Sequence, residues 1–354
     1  MTSKSIILSS TKRGSGKSVV AIGAYLKFKE NGINPGYFKP IGDSSTIKPK
    51  NLTDKDASVI SAVVARKFSQ EQLCPLLLNP KFFLDEILPK ESSEILEKIT
   101  DAYDFIASRT DVVLIEGNHD YRQYAAVELS DAHIAKNFNA KVIICAPIAG
   151  DSDFDDVLAA VKIFRMQQCE IGGVILSPVN STLENRIQKY YLPMMRNSNI
   201  ALIGGLKSVK TLEFPTIAEI LEAIDGKLLT GEFVKIKNRK IANFVIGAMH
   251  SNKAIEYIKR KPNVCVITGG DRIDIALNAL ETPISLLIFT GNLRPETSLL
   301  KKAEEKQIPT ILAAGDTFSI TEKLQNIHSD IQLDEIEICY EQVEQNLDWE
   351  EFSR

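Results

Sequence analysis

Thr11-Lys12-Arg13-Gly14-Ser15-Gly16-Lys17-Ser18 stands between a short apolar run, Ser5 to Ser9, and a helical-looking segment, Val19 to Glu30. Strand, loop and helix in this order are the setting of a phosphate-binding loop. Glycine frees successive backbone N–H groups to point at phosphate oxygens, and the following helix adds the positive end of its dipole. Thr11, Lys12, Gly14, Ser15 and Gly16 would form the cradle. Lys17 would reach the terminal phosphates of ATP, and the Ser18 hydroxyl would ligate Mg²⁺. The pattern G-x-x-x-x-G-K-S/T is met except at its first glycine, where Thr11 stands. The alternative is a surface turn that happens to contain Gly-Lys-Ser, and the flanking strand and helix argue against it.

Outward from this loop, short β-rich runs alternate with helical stretches, which predicts parallel sheets with helices on both faces. The expected strands of the first half are Ser5 to Ser9, Gly36 to Phe38, Val112 to Ile115, Lys141 to Ala146, Gly173 to Leu176 and Ile200 to Ile203. The alternation breaks at Glu213-Phe214-Pro215. A second, smaller α/β domain follows, with strands expected at Ala242 to Ile246, Val264 to Thr268, Leu286 to Thr290 and Thr310 to Ala313. The domains expected are therefore 1–212 and 215–328, followed by an acidic tail, 329–354, whose apolar residues, Trp349 among them, suit packing on the body of the protein. A chain of 354 residues, 44% hydrophobic and 25% charged, suits two domains.

A formal net charge of −4 gives no general electrostatic reason to bind nucleic acid. No window approaches the roughly 18 apolar residues of a membrane span, and the N-terminus does not read as a signal peptide. The five cysteines are widely spaced without C-x-x-C, which suits reduced thiols of a cytoplasmic protein.

Three further groups fall where phosphate chemistry needs them. Val112-Val113-Leu114-Ile115-Glu116-Gly117 is an apolar strand ending in a carboxylate, an arrangement that holds Mg²⁺ or its waters beside the loop. Glu116 is the main metal candidate, Asp56 the second, and Asp54 a weaker competitor. Lys39 closes the second strand on the same edge and joins Lys17 as a candidate catalytic cation. Each charge alone could be an ordinary solvated one; their joint occurrence after the loop favours function. His119 lies close to Glu116 in sequence and is a candidate substrate contact, whereas His133 reads as structural.

These residues carry a resemblance. The phosphate loop, Phe38-Lys39-Pro40-Ile41, Asp56-Ala57 and Ile115-Glu116-Gly117 are similar, in this order, to the dethiobiotin synthetase family, which includes the ATP-binding half of cobyrinic acid a,c-diamide synthases. The similarity implies that Lys17 and Lys39 contact phosphates or a reacting carboxylate, while Ser18, Asp56 and Glu116 hold Mg²⁺. After Glu116-Gly117 the synthetases continue with small residues that let substrate approach the backbone; this chain has Asn118-His119-Asp120. Asn180 matches the base-recognising asparagine of the family only loosely.

The second half resembles the DRTGG domain through Thr268-Gly269-Gly270-Asp271-Arg272 and Thr290-Gly291-Asn292, with Asn292 in place of the last glycine. The two domains in this order look like the N-terminal region of long phosphotransacetylases. The acetyltransferase domain would follow where this sequence stops, so acetyl transfer is not expected of it. The resemblance implies an ATP- and Mg²⁺-binding protein whose second domain is a sensor or an oligomerisation module, with self-association as a homodimer. Two other readings stay open: an active ATP-dependent ligase joining a carboxylate or carbamate to an amine, and a dimeric ATPase switch. The switch rests on Lys12, which is placed like the signature lysine of partition ATPases. A second ligand site for an unknown small metabolite is expected where Asp271, Arg272, Asn292 and Thr317 end successive parallel strands.

Overall fold

β1 (Lys4–Ser10) lies inside a six-stranded, all-parallel sheet. Its order is β2 (Pro35–Phe38), β5 (Val112–Glu116), β1, β6 (Lys141–Pro147), β7 (Ile171–Val179) and β8 (Leu202–Lys207). The computed structural model describes residues 3–44, 55–63, 67–88, 92–247, 261–327 and 329–354, and among these the side chains at 55, 56, 92 and 93 lie outside the description. Ile6, Ile7 and Leu8 of β1 and Val113, Leu114 and Ile115 of β5 are all fully buried. Continuous rather than alternating burial is the mark of strands covered on both faces. A small parallel pair, β3 (Ile41–Asp43) with β4 (Leu76–Leu78), lies outside the main sheet.

The chain divides into two compact units, Met1–Ser208 together with Ile331–Arg354, and Val209–Asp330. The acidic tail is thus no separate appendage but the last part of unit 1. Its placement follows from α1 (Lys17–Glu30), which buries Val20, Ala21, Ile22, Gly23, Ala24, Tyr25 and Phe28. A helix apolar nearly all round needs cover on two sides. The sheet supplies one and the helix Ile336–Asn346 the other. Their backbones come so close that an ideal Cβ on Gly23 would lie 2.4 Å from the Cys339 carbonyl oxygen. Trp349 packs edge-on to Phe28 at 4.7 Å and stacks on Phe352, itself fully buried. Leu347 bridges to Gly204 of β8.

Unit 2 holds a five-stranded sheet, in the order β10 (Asn243–Ile246), β11 (Val264–Gly269), β12 (Ile284–Thr290), β13 (Thr310–Leu312) and β9 (Lys227–Thr230). The first four are parallel and β9 is an antiparallel edge. Side chains alternate between its faces. Cys265, Ile267, Leu286 and Ile288 enter one apolar core, and Val264, Val266, Leu287 and Phe289 the other.

The expected strand at Ile200 to Ile203 begins two residues later and runs on to Lys207. Asn199, at φ 55°, is still turning the chain out of the preceding helix. The expected strands did not include β3, β4 and β9. Each is only three or four residues long, too short to show a period. Among the described residues no helix is long and apolar enough to cross a membrane.

Candidate nucleotide and metal site

The loop between β1 and α1 turns through two glycines, Gly14 and Gly16, both at φ 77°, a region that residues with a Cβ enter only at a cost. Gly16 is held to glycine twice over, because an ideal Cβ there would come within 2.8 Å of Leu206 Cδ1. No side chain caps the N-terminus of α1. Its first turn therefore keeps the N–H groups that a phosphate would take. Thr11 is 2% exposed and its hydroxyl has no hydrogen-bond partner; Lys17 is 6% exposed. A buried ammonium and an orphaned buried hydroxyl, in a loop that turns through left-handed glycines, fit a polyphosphate. Apolar substitutes would not need this arrangement.

Sheet register brings the next group in. Leu8 pairs with Glu116 across β1 and β5, so the strand-end carboxylate faces the head of α1. The Ser18 hydroxyl donates to Glu116 Oε1 at 3.0 Å, and the Tyr37 hydroxyl donates to Oε2 at 2.8 Å. Glu116 is 4% exposed. Among the described residues no group of three or more His, Cys, Asp or Glu could hold a metal. A cation here would take Ser18 and Glu116 from the protein and its remaining oxygens from phosphate and water, the habit of Mg²⁺. Asp56 starts a helix, Lys55–Val63, but its side chain lies outside the described residues, and Asp54 lies outside them altogether.

Beside Glu116 opens a small, shallow cleft, lined by Lys39, Asp43, Asn118, His119 and Tyr124 among others. Lys39 is buried, 4% exposed. The Arg13 guanidinium pairs with Asp43 at 2.8 Å, and His119 Nε2 lies 3.7 Å from the same carboxylate. Burial pushes the His119 imidazole below its ordinary value; Lys17, Arg13 and Lys39 push the same way, and the nearby Asp43 carboxylate opposes them. The surroundings of His119 thus favour its neutral form over the imidazolium.

Asn118 is turned inward, its amide donating to the Leu129 carbonyl and its backbone N–H to Asp131. Asp131 also accepts from the Ser9 hydroxyl at 2.5 Å, and lies so near Gly117 that an ideal Cβ there would stand 2.5 Å from its Oδ2. Burial pushes the Asp131 carboxyl up to about 6 against these hydrogen bonds. Asp120 pairs with Arg122.

The other sequence candidates have local partners. Lys12 pairs with Asp153 and lies 3.9 Å from Asp156 of the same chain. Asn180 caps a helix by accepting from the Leu183 N–H, and His133 shares a hydrogen bond with Ser130. Tyr37, Asp43 and Asp131 are the residues that sequence reasoning missed. The one local signal is that Tyr37 lies on β2, two residues before Lys39, which follows the strand's end.

In unit 2 the loops after β11, β12 and β13 leave one sheet edge, but the four expected ligand residues split. Thr317 bonds the Thr290 hydroxyl at 2.7 Å. Thr290 continues the side of Leu286 and Ile288, whereas Thr268 continues the opposite side, that of Val264 and Val266. Asn292, at φ 55°, donates its backbone N–H to Ala313. Asp271 and Arg272 sit at the end of β11, Arg272 with a long ion pair of 3.6 Å to Asp274.

With this geometry in hand, the chain can be compared with known proteins. The family model described as an AAA domain matches residues 4–216, and the DRTGG domain matches 219–327. A phosphate acetyltransferase of Synechocystis is 24% identical over 343 residues, covering 93% of this chain and 48% of that protein. An ATP-dependent dethiobiotin synthetase of Methanocaldococcus jannaschii is 26% identical over 216 residues, 59% of this chain and 96% of its own length. A ParA family ATPase of Chlorobium tepidum overlays 60% of this chain and 86% of its own, at 13% identity and a TM-score of 0.36. The chain spans about half the length of the phosphate acetyltransferases it matches, 48% and 47% for two of them.

Proposed function

For a chain that belongs to the AAA-domain family through residues 4–216 and carries a DRTGG domain after it, we propose that unit 1 binds ATP with Mg²⁺ and that the protein acts as a nucleotide-dependent regulator. Unit 2 is then its sensor or oligomerisation module. The observation that carries this reading is the Ser18–Glu116 pair at the head of α1. The hydroxyl that follows the loop lysine and a strand-end carboxylate thus lie within hydrogen-bond distance, where both oxygens can share one Mg²⁺. Lys17 would neutralise the terminal phosphates, and Lys39 would face the group beyond them.

The regulatory rather than ligase role is supported by the loop after Gly117. Where synthetases place small residues, the His119 ring lines the cleft beside Asp43, which Arg13 holds from the other side. Turnover should therefore be slow. The second reading, an ATP-dependent ligase, is favoured by the cleft itself, which sets Lys39 and His119 beside the metal candidate. Calorimetric titration with ATP and Mg²⁺, followed by a phosphate-release assay with and without diaminopelargonic acid or cobyrinic acid, separates the two. Tight binding with release indifferent to both acids supports the regulator. Strong stimulation by either establishes the ligase.

A further inference from the structure

Unit 2 contains a polar group that its fold does not use. Thr268 is 2% exposed and its hydroxyl has no hydrogen-bond partner. By strand alternation it shares the face of Val264 and Val266, the face that the helix Ile273–Leu280 covers through Ala276, Ala279 and Leu280. Gly247, just after β10, fixes the spot. An ideal Cβ there would lie 3.3 Å from Thr268 Oγ1 and 2.7 Å from Ile275 Cγ2, so the hydroxyl stands beside the first turn of that helix. No side chain caps this helix; Arg272 occupies the capping position. Arg272 is half exposed, and its ion pair to Asp274 is long.

We infer that the carboxyl end of β11 holds a small phosphate-type anion, cradled by the first turn of Ile273–Leu280, the Thr268 hydroxyl and the Arg272 guanidinium. Uncapped N–H groups and the helix dipole favour negative charge there. The paired donors of Arg272 suit phosphate oxygens. The buried hydroxyl gains the partner whose absence is otherwise a standing cost. The Asp271 carboxylate, 2.5 Å from where a Cβ of Gly269 would stand, opposes the anion and tempers its affinity. The cradle lies on the opposite face from the Thr290–Thr317 pair, so Thr317 takes no part in it. The inference rests on unit 2 alone and stands whether or not unit 1 binds ATP.

The test uses the full chain carrying Lys17→Ala, which suppresses phosphate binding at the first loop, titrated with inorganic phosphate by calorimetry. Adding Thr268→Val or Arg272→Ala should weaken phosphate binding by about tenfold or more. Thr268→Ser should retain it, and Asp271→Asn should tighten it. Thr268→Val should also raise the thermal midpoint of the phosphate-free chain, because it removes a buried hydroxyl without a partner. No phosphate binding by the Lys17→Ala chain would overturn the inference. So would a raised midpoint in Thr268→Val with phosphate affinity unchanged, which would make the hydroxyl a packing defect only.

Discussion

Gly23→Ala puts two known effects in opposition at the one place where α1 meets the helix Ile336–Asn346. Replacing a mid-helix glycine by alanine normally stabilises by about 0.5–1 kcal/mol. Here the new Cβ would stand 2.4 Å from the Cys339 carbonyl oxygen and 2.5 Å from Val343 Cγ2. Carbon atoms rest at about 3.5–4.0 Å, so the facing helix must retreat by about 1 Å. The oxygen belongs to backbone, and no rotamer change relieves it. Overpacking of this kind costs about 1–3 kcal/mol, which outweighs the gain and leaves a net loss of about 1–2 kcal/mol. Urea titration followed by the fluorescence of Trp349, the single tryptophan of the chain, reads this directly, because its ring lies 4.7 Å from Phe28 of the same helix. Val343→Ala added to Gly23→Ala should recover part of the loss, a coupling measurable in a double-mutant cycle. The comparison is Gly32→Ala, where nothing lies within 4 Å but φ is +75°. Its cost is backbone strain, and Val343→Ala should not relieve it. A Gly23→Ala protein as stable as the parent would refute the close packing of the last helix on α1.

Other expectations concern the site. Lys17→Ala should weaken ATP binding by roughly ten- to a hundredfold, since charge-assisted hydrogen bonds contribute about 1.5–3 kcal/mol, with the urea midpoint nearly unchanged; equal calorimetric affinities would remove the loop from the site. Glu116→Gln should abolish the dependence of ATP affinity on Mg²⁺ while sparing metal-free nucleotide binding, as titrations with and without chelator would show. Asp131 gives a pH signature. Its folded value, about 6, lies above its ordinary 3.8, so stability present below the lower value is lost as pH rises through the upper one, by about 3 kcal/mol in all. Asp131→Asn should lack that loss, and the stability difference between the two proteins should move in favour of Asn from acid to neutral pH. A constant difference would contradict the burial of an ionising carboxyl. Light scattering with and without ATP checks the expected homodimer, and a 39 kDa particle in both conditions would count against it.

The parts of the site legible in the sequence are those made by neighbours in the chain. Gly14, Gly16, Lys17 and Ser18 follow one strand and open one helix, and Glu116 ends an unbroken apolar run. The parts that stayed hidden depend on tertiary partners. Nothing local joins Tyr37 to Glu116, Arg13 to Asp43, or Ser9 to Asp131, each pair being 30 or more residues apart. In unit 2 the faces of the strand ends are legible as well. Counting by twos along β11 and β12 puts Thr268 with Val266, but Thr290 with Ile288, and their neighbours enter different cores. The tail was harder to place, since its acidic residues mask the Cys339, Val343 and Phe352 positions that are fully buried or nearly so.

The return of Ile331–Arg354 to unit 1 bears on how the protein is made. Synthesis runs from the N-terminus, so α1 leaves the ribosome with the face around Gly23 and Phe28 uncovered. It stays so until everything from the end of α1 to Asp330, unit 2 included, has been translated, on the order of tens of seconds later at common elongation rates. During that interval the phosphate loop is anchored to a helix with an unpacked apolar side, and the unit made first is completed last. Nascent chains arrested before residue 331 should accordingly be more open to proteolysis at α1 than those released beyond it, and a ligand of the loop would be most useful to folding in those seconds.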